Sequence, residues 1–460
     1  MKKRLFPFWH KLAWGIMICA LVLSAVKLPA SSASAPIVTD PGVIAYVTSV
    51  NGRQDQIRLV DPDGANDRLL WSTGDMGVET NLEYVGGLTW KPGGSELAFH
   101  SSHQAACSFY GSDVYSVRQD GSNFRRIVSP PACGQNPGLP TGTVEVTYYN
   151  DSGYYGPFVV YIEGAPAPQS YNIPVGGSLK VTFNNVIDYG NALQWAVAAL
   201  GGYRYPSIEG KADVIPGQTV KVNAYLTLGY ANWTVHTPTW NYDGTELAYL
   251  FGSDVNPFGI LANNTTPGGM GAHLLGSVDD WSLPLSSHTL SYGPTQALSN
   301  QLLYSGYSEG DNIYLATVGQ DEPGEILLKD GDLGGFGFRG QAWLPDGSGF
   351  LYSLGENFGD IANLFRYSFA TQESYRLTDL SNGWVRSMAV SPDGRQVVFE
   401  LQTSGDSYDE NPPTDLYIMN IDGSDQKLLV PDGRSPAWGL TYTPPPVTTK
   451  MTYLPFLARK

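Results

Sequence analysis

Met388-Ala-Val-Ser-Pro-Asp-Gly-Arg-Gln-Val-Val-Phe399 reads as two short apolar strands joined by a tight turn. Proline presets one turn residue, and glycine supplies a position where φ is free to be positive, so the Ser-Pro-Asp-Gly centre reverses the chain within a few residues. The same unit returns as Thr89-Trp-Lys-Pro-Gly-Gly-Ser-Glu-Leu-Ala-Phe99, Thr239-Trp-Asn-Tyr-Asp-Gly-Thr-Glu-Leu-Ala-Tyr249 and Ala342-Trp-Leu-Pro-Asp-Gly-Ser-Gly-Phe-Leu-Tyr352, with a clipped copy at Pro436-Ala-Trp438. The repetition predicts a recurring hairpin.

A second unit follows each copy, as Asp415-Leu-Tyr-Ile-Met-Asn-Ile-Asp-Gly-Ser424 and Asp113-Val-Tyr-Ser-Val-Arg-Gln-Asp-Gly-Ser122, with Ile57-Arg-Leu-Val-Asp-Pro-Asp-Gly64 a relative and looser copies from Asn312 and Asn363. Two hairpins make four strands, and the step of about 47 residues from Trp343 to Val390 and on to Trp438 is the length of one β-propeller blade. Residues 44–71 hold three strands without an opening one, while Ser435-Pro-Ala-Trp-Gly-Leu440 is an opening strand alone. Each fragment completes the other. The expected architecture is therefore all-β: blade one (44–71 with 435–441), blade two (86–128), blade three (236–291), blade four (294–328), blade five (336–380) and blade six (384–430), with the ring latched by its last strand so that no sheet edge is left open. Blade four is the most eroded, its opening hairpin reduced to Thr295-Gln-Ala-Leu-Ser-Asn-Gln-Leu-Leu-Tyr304, but the 103 residues between Trp240 and Trp343 require two blades.

Residues 138–232 lack the repeat. Gly142–Tyr148, Phe158–Ile162, Ser178–Phe183, Leu193–Ala198 and Thr219–Tyr225 read as five strands with Gly/Pro turns, which predicts a small β-sandwich inserted into the propeller, Ig-like or carbohydrate-binding-like. It is expected to be either a spacer or a carbohydrate- or protein-binding module.

The amino terminus is of another kind. Lys2, Lys3, Arg4 and Lys11 precede an apolar run from Leu12 to Val26, and Ser31-Ser-Ala-Ser-Ala35 offers small-residue cleavage positions, so residues 1–35 read as a secretory signal peptide and the run is short for a membrane span. Without them the chain keeps 22 basic against 43 acidic side chains, a balance that repels nucleic acid and anionic surfaces. The expectation is an exported monomer, secreted, periplasmic or surface-bound, with no transmembrane span after processing. Cys107 and Cys133 remain, and an oxidising exterior lets them pair as a disulfide on one face of blade two.

The pattern x-x-W-x-P-D-G-x-x-[LIV]-[AV]-[FY] followed by D-[LVI]-Y-x-x-x-x-D-G-S closely resembles the WD40-like (PD40) repeats of the TolB family, whose propellers have six blades; the resemblance covers nearly all of the chain outside residues 1–35 and 138–232. TolB has a further N-terminal α/β domain that this chain does not match, so its envelope role is not implied. Prolyl oligopeptidase relatives share such repeats but need a hydrolase domain behind the propeller, whereas about 20 residues follow the last strand here. The resemblance implies binding rather than peptidase chemistry.

Candidate chemistry is sparse. Gly306-Tyr-Ser-Glu-Gly310 matches the G-x-S-x-G nucleophile elbow, yet a strand follows where a helix is needed, and no histidine comes after His288. His100, His103 and Cys107 are ligands suited to zinc but lack a fourth partner. Asp61-Pro-Asp-Gly64, Asp120-Gly-Ser122 and Asp422-Gly-Ser-Asp425 resemble calcium loops without the EF-hand spacing. No catalytic residue and no metal ligand is assigned, and the one cofactor left open is calcium at an acidic loop.

In a blade with strands a to d, the a–b and c–d turns share one face of the disc and the b–c and d–a connections the other. The Pro-Asp-Gly and Asp-Gly-Ser turns fall on the first face, the long connections on the second, where recognition usually sits. The expected binding residues on that loop-rich face are Phe109, Tyr110, Phe258, Phe336, Phe338, Phe358, Trp384 and Tyr408, and the expected ligand is a protein, peptide or polysaccharide. The competing expectation is a secreted propeller hydrolase or lyase acting on polysaccharide with carboxylates near the axis. After Tyr442, Thr-Pro-Pro-Pro-Val-Thr-Thr449 reads as a stiff spacer leading to an apolar, basic-ended tail, so residues 443–460 are expected to be a linker and an anchoring or sorting signal.

Overall fold

The computed structural model describes residues 40–442 except 53, 75–84, 104–111, 129–135, 137, 189–193, 201–206, 228–232, 254–256, 264–271, 276–288, 308–309, 321–322, 336, 357–360 and 405–412. The signal-peptide and tail expectations, the Cys107–Cys133 pairing, and Phe109, Tyr110, Phe336, Phe358 and Tyr408 lie outside these residues.

The strands follow in chain order as β1 (Val43–Val50), β2 (Gln54–Val60), β3 (Arg68–Ser72), β4 (Val85–Trp90), β5 (Glu96–Ser101), β6 (Asp113–Arg118) and β7 (Arg125–Arg126). An insert follows: β8 (Thr141–Tyr149), β9 (Pro157–Ile162), β10 (Gln169–Asn172), β11 (Ser178–Ile187), β12 (Gln194–Leu200), β13 (Ser207–Ala212) and β14 (Thr219–Thr227). The chain then continues with β15 (Trp233–Trp240), β16 (Leu247–Ser253), β17 (Pro257–Asn263), β18 (Ala272–Leu275), β19 (Leu290–Tyr292), β20 (Gln301–Tyr307), β21 (Asp311–Thr317) and β22 (Glu325–Lys329). It ends with β23 (Phe338–Trp343), β24 (Gly349–Glu356), β25 (Ile361–Ser368), β26 (Glu373–Arg376), β27 (Gly383–Val390), β28 (Gln396–Gln402), β29 (Thr414–Asn420), β30 (Lys427–Val430) and β31 (Arg434–Gly439). Among the described residues no helix is long and apolar enough to cross a membrane.

Their pairing makes six four-stranded blades: β31-β1-β2-β3, β4 to β7, β15 to β18, β19 to β22, β23 to β26 and β27 to β30. Blades five and six are also joined by a short parallel pairing, Ile361 with Gly383 and Ala362 with Trp384. Ring closure is antiparallel, Val43 opposite Gly439 and Ala45 opposite Ala437. It is reinforced at its end, where the Asp40 carboxylate accepts the Thr441 N–H at 2.8 Å and the Trp438 indole donates to the Pro41 carbonyl at 2.9 Å.

The repeat tryptophan has a physical task. In two copies the indole N–H at the end of an inner strand reaches the neighbouring blade, Trp90 to the Ala437 carbonyl (3.3 Å) and Trp343 to the Ser291 carbonyl (3.4 Å), whereas the buried Trp240 indole makes no such bond. Blade four departs from the sequence expectation. Its inner strand is Leu290–Tyr292, read from the sequence as the end of blade three, with Tyr292 in the place of the tryptophan, and the stretch Gln296–Leu298 is a 3-10 turn.

The insert forms two layers around one core, with Val144, Val146, Tyr148 and Phe183 from one layer packed with Phe158, Val160, Ile162 and Ala198 from the other. Strand β14 belongs to both layers, pairing with β8 in parallel through Thr219–Ala224 and with β13 through Tyr225–Thr227. Strands β10 and β13 were not anticipated: Gln169-Ser-Tyr-Asn172 is a polar edge, and Ser207-Ile-Glu-Gly-Lys-Ala212 carries a glycine in its middle. The sandwich is seated on the propeller, since its Val197 is buried among Val114, Ile127 and Val128 of blade two and Val235 of blade three.

Candidate functional site

Strands β4, β15, β23, β27 and β31 are inner strands, and each carries one extra residue relative to its partner. His236 faces Leu250 while Thr239 faces Ala248, and the same one-residue slip separates Gly86 from Thr89, Phe338 from Gly340, Val385 from Met388 and Arg434 from Ala437. Such bulges twist a strand and release a backbone N–H from the ladder. Three bulge residues adopt positive φ: Gly87 at 57°, Thr237 at 52° and Ser435 at 49°. For a β-branched residue this conformation is strained, and such strain persists only where the surroundings enforce it.

The enforcing groups come from the preceding blade. On β5 of blade two, His100 Nδ1 accepts the Thr237 N–H at 3.2 Å. On β28 of blade six, the equivalent residue Glu400 accepts the Ser435 N–H at 2.9 Å and the Ser387 hydroxyl at 2.6 Å. On β24 of blade five, the equivalent residue Ser353 donates its hydroxyl to the Val385 carbonyl at 2.5 Å. One position on the second strand therefore stitches each of these blades to the next, with a histidine, a carboxylate or a hydroxyl as the backbone demands.

Beside the bulge, the inner strands carry Arg339, Arg386, Arg434 and His236, each four residues before the terminal Trp343, Val390, Trp438 and Trp240. They share one level of the inner strands, next to the bulge. Arg434 pairs at 2.8 Å with the buried Asp55, and Arg386 donates to Gln402 Oε1 at 2.8 Å. The His100 and His236 rings meet edge-on, 6.1 Å between centroids. Burial, then the charges of His236 and Arg434, depress the His100 pKa to about 3, so the imidazole is neutral. Asp311 is pushed up from the ordinary carboxylate value by burial and by Asp330, with Arg339 opposing.

Of the sequence-derived binding candidates, Phe258, Phe338 and Trp384 lie among the described residues. Phe338 opens β23 but is 4% exposed and packs edge-on against Tyr352, so it is a core residue rather than a loop aromatic. Trp384 is half-buried where blades five and six meet, and Phe258 lies near the start of β17. Of the Gly306–Gly310 motif, Ser308 and Glu309 lie outside the described residues; the strand β20 before it pairs antiparallel with the strand β21 after it, where a nucleophile elbow needs a helix. His100 faces blade three, whereas His103 hydrogen-bonds Ser101 at 2.8 Å and packs against Trp71 and Tyr115, so the two histidines do not converge. Among the described residues no three His, Cys, Asp or Glu side chains cluster as a metal site. Asp120 and Asp422 each accept the N–H and hydroxyl of the serine two residues on, which holds their carboxyls below the usual range and closes the turns locally.

The pattern that sequence reasoning missed is the column Arg434-Ser, His236-Thr, Arg339-Gly and Arg386-Ser. It was visible only by aligning the repeats upstream of the tryptophan.

The chain is a six-bladed β-propeller with an inserted β-sandwich. No protein-family model and no curated protein matches it. Among solved structures it is similar to TolB from Acinetobacter baumannii, with 14% identity, TM-score 0.48, and 88% of this chain and 68% of that one covered. It is also similar to the propeller domain of the Trilobed protease from Pyrococcus furiosus (11% identity, TM-score 0.35, 88% and 97% covered). A prolyl endopeptidase gives 9% identity and TM-score 0.40 over 86% of this chain and 49% of that one. These likenesses are of propeller architecture and bring no partner or activity with them.

Proposed function

We infer that the protein is an exported, non-catalytic propeller scaffold that holds a protein, peptide or polysaccharide at its loop-rich face, around the axial mouth formed by Arg339, Arg386, His236 and Trp384. The observation that carries this reading is the state of the carboxylates beside that mouth. Glu400 is 5% exposed and accepts two hydrogen bonds from the bulges, and Asp55 is 2% exposed and paired with Arg434. Carboxylates committed in this way orient the framework and are poorly placed to exchange protons with a substrate. The opposite face supports the same assignment, because its turns are short and capped by their own aspartates, as at Asp243 and Asp346.

The test is to probe immobilised peptide and polysaccharide libraries with the intact protein and with Arg339→Ala, Arg386→Ala and Trp384→Ala. Capture without turnover that weakens in these variants supports the reading. Turnover that disappears in Glu400→Gln or Asp55→Asn would overturn it in favour of a hydrolase or lyase.

A further inference from the structure

The outward face of the inserted sandwich is built differently from the rest of the surface. Strands β11, β8 and β14 lie side by side, and their outward residues fall in rows: Ser178, Tyr149 and Tyr225; Lys180, Thr147 and Asn223; Thr182, Glu145 and Lys221. Tyr149 and Tyr225 stack at 5.0 Å with 8° between their planes, and Tyr225 is still 51% exposed. Cross-strand stacking alone stabilises a sheet and accounts for such a pair. It does not account for the adjacent loop, where Tyr154 is 52% and Tyr155 is 77% exposed outside any ladder.

That loop is held by a buried residue. Asn150 is fully buried, and its amide donates to the carbonyls of Tyr154 (3.0 Å) and Ile173 (2.9 Å) while its Oδ1 accepts the Ser152 hydroxyl (2.5 Å). Its backbone is fixed on both sides, the N–H to Gly177 and the carbonyl to Gly176. A side chain that spends its hydrogen bonds rigidifying a loop tipped by two exposed tyrosines is pre-organising an aromatic surface, and pre-organisation lowers the cost of binding. Tyrosine offers large rigid contact area at small entropic cost, with a hydroxyl for the wet side.

We propose that this end of the sandwich, Tyr149, Tyr225, Tyr154 and Tyr155 with the polar row of Lys180, Thr147 and Asn223, is a binding platform for a neutral polysaccharide. The chemistry selects this occupant. Sugar rings bring a flat C–H face to the tyrosines and hydroxyls to the amide, hydroxyl and ammonium groups beside them. An apolar helix would find no aliphatic side chain in the second and third rows. A polyanion would meet Glu145, which stands between Lys180 at 2.6 Å and Lys221 at 3.9 Å, on a protein of net charge −16. The platform stands independently of the axial mouth.

The test is native affinity electrophoresis of the full chain through gels containing soluble mixed-linked β-glucan, xylan or galactomannan. Retardation is expected in at least one gel. The Tyr149→Ala/Tyr225→Ala pair should weaken it about tenfold or more, and Tyr225→Phe should stay within about threefold of the parent, since the ring and not the hydroxyl carries the stacking. Thermal melts of each variant separate lost binding from lost folding. Unchanged mobility in all three gels overturns the platform, as does retardation that survives both Tyr149→Ala/Tyr225→Ala and Tyr154→Ala/Tyr155→Ala. Retardation lost in Arg339→Ala/Arg386→Ala instead would move the glycan to the axial mouth, whereas retardation kept there leaves the platform standing whatever becomes of the loop-rich face.

Discussion

Thr237 donates its backbone N–H to Nδ1 of His100 across the seam between blades two and three, at 3.2 Å and over 137 residues of sequence. Because Nδ1 accepts, the neutral ring carries its proton on Nε2. The contact holds Thr237 at a positive φ of 52° that its branched side chain disfavours. Blade-to-blade geometry at the mouth therefore depends on one histidine staying unprotonated.

The pH dependence follows. The folded His100 pKa lies near 3, below the ordinary 6.5, and His103 is similarly depressed to about 4, by burial first and Arg126 second. Below pH 6.5 the unfolded chain takes up these protons before the folded one. Their contribution to stability is complete above pH 6.5 and is lost progressively as pH falls towards 4 and then 3. Urea unfolding from pH 8 to pH 4 should show a flat region and then a steady decline, shallower in His100→Gln by about one proton. Parallel profiles for parent and variant would contradict the buried neutral ring.

Glu400→Ala removes one acceptor serving two blades, leaving the Ser435 N–H and the Ser387 hydroxyl without it. Hydrogen bonds to a charged acceptor contribute about 1.5–3 kcal/mol, so a loss of about 2 kcal/mol or more is expected, with Ser387→Ala costing less. Denaturant midpoints at constant m-value measure it.

The Asp113–Arg126 pair is 2.8 Å long, with side chains 2% and 5% exposed, on the outer half of blade two. Removing one partner strands the other charge in the interior, so Asp113→Ala is expected to cost about 3–5 kcal/mol, and Asp113→Leu/Arg126→Met much less than either single change. Calorimetry of Asp113→Leu, Arg126→Met and the double variant gives the coupling as a double-mutant cycle.

Ring closure is tested at two strengths. An ideal Cβ on Gly439 would come 2.4 Å from Cγ of Trp90, so Gly439→Ala should cost about 1–3 kcal/mol as an overpacked seam. Deleting residues 432–460 removes β31 altogether and exposes the edge of β1. Loss of a single cooperative transition, with aggregation visible by size-exclusion chromatography, is the expected outcome, and a truncated protein that melts like the parent would show the latch to be dispensable.

Where the chain could be read directly, local chemistry and global fold agreed. Pro-Asp-Gly turns and the recurring tryptophan are short-range signals, and at Trp90 and Trp343 the indole also makes an inter-blade hydrogen bond. Blade four blurred because Tyr292 replaces the tryptophan and a 3-10 turn replaces Pro-Asp-Gly. Phe338 misled because an aromatic at the end of a glycine-rich run looks like a loop residue until its strand partner Leu354 is known. The mouth was illegible for a deeper reason. His100 and Glu400 act on the next blade, so their task becomes visible only when residues far apart in sequence are brought together.

The Asp40–Thr441 contact spans 401 residues, and it fixes an order of events in the life of each molecule. The first blade to be synthesised is the last to be completed, since β1 to β3 must wait for β31 before their sheet is whole. Every blade between is made while the circle is still open. Contacts this remote are slow to form and leave strand edges uncovered meanwhile. The molecule is vulnerable to mispairing with a neighbour until β31 arrives, which makes that one pairing, rather than any step inside a blade, the point at which folding succeeds or fails.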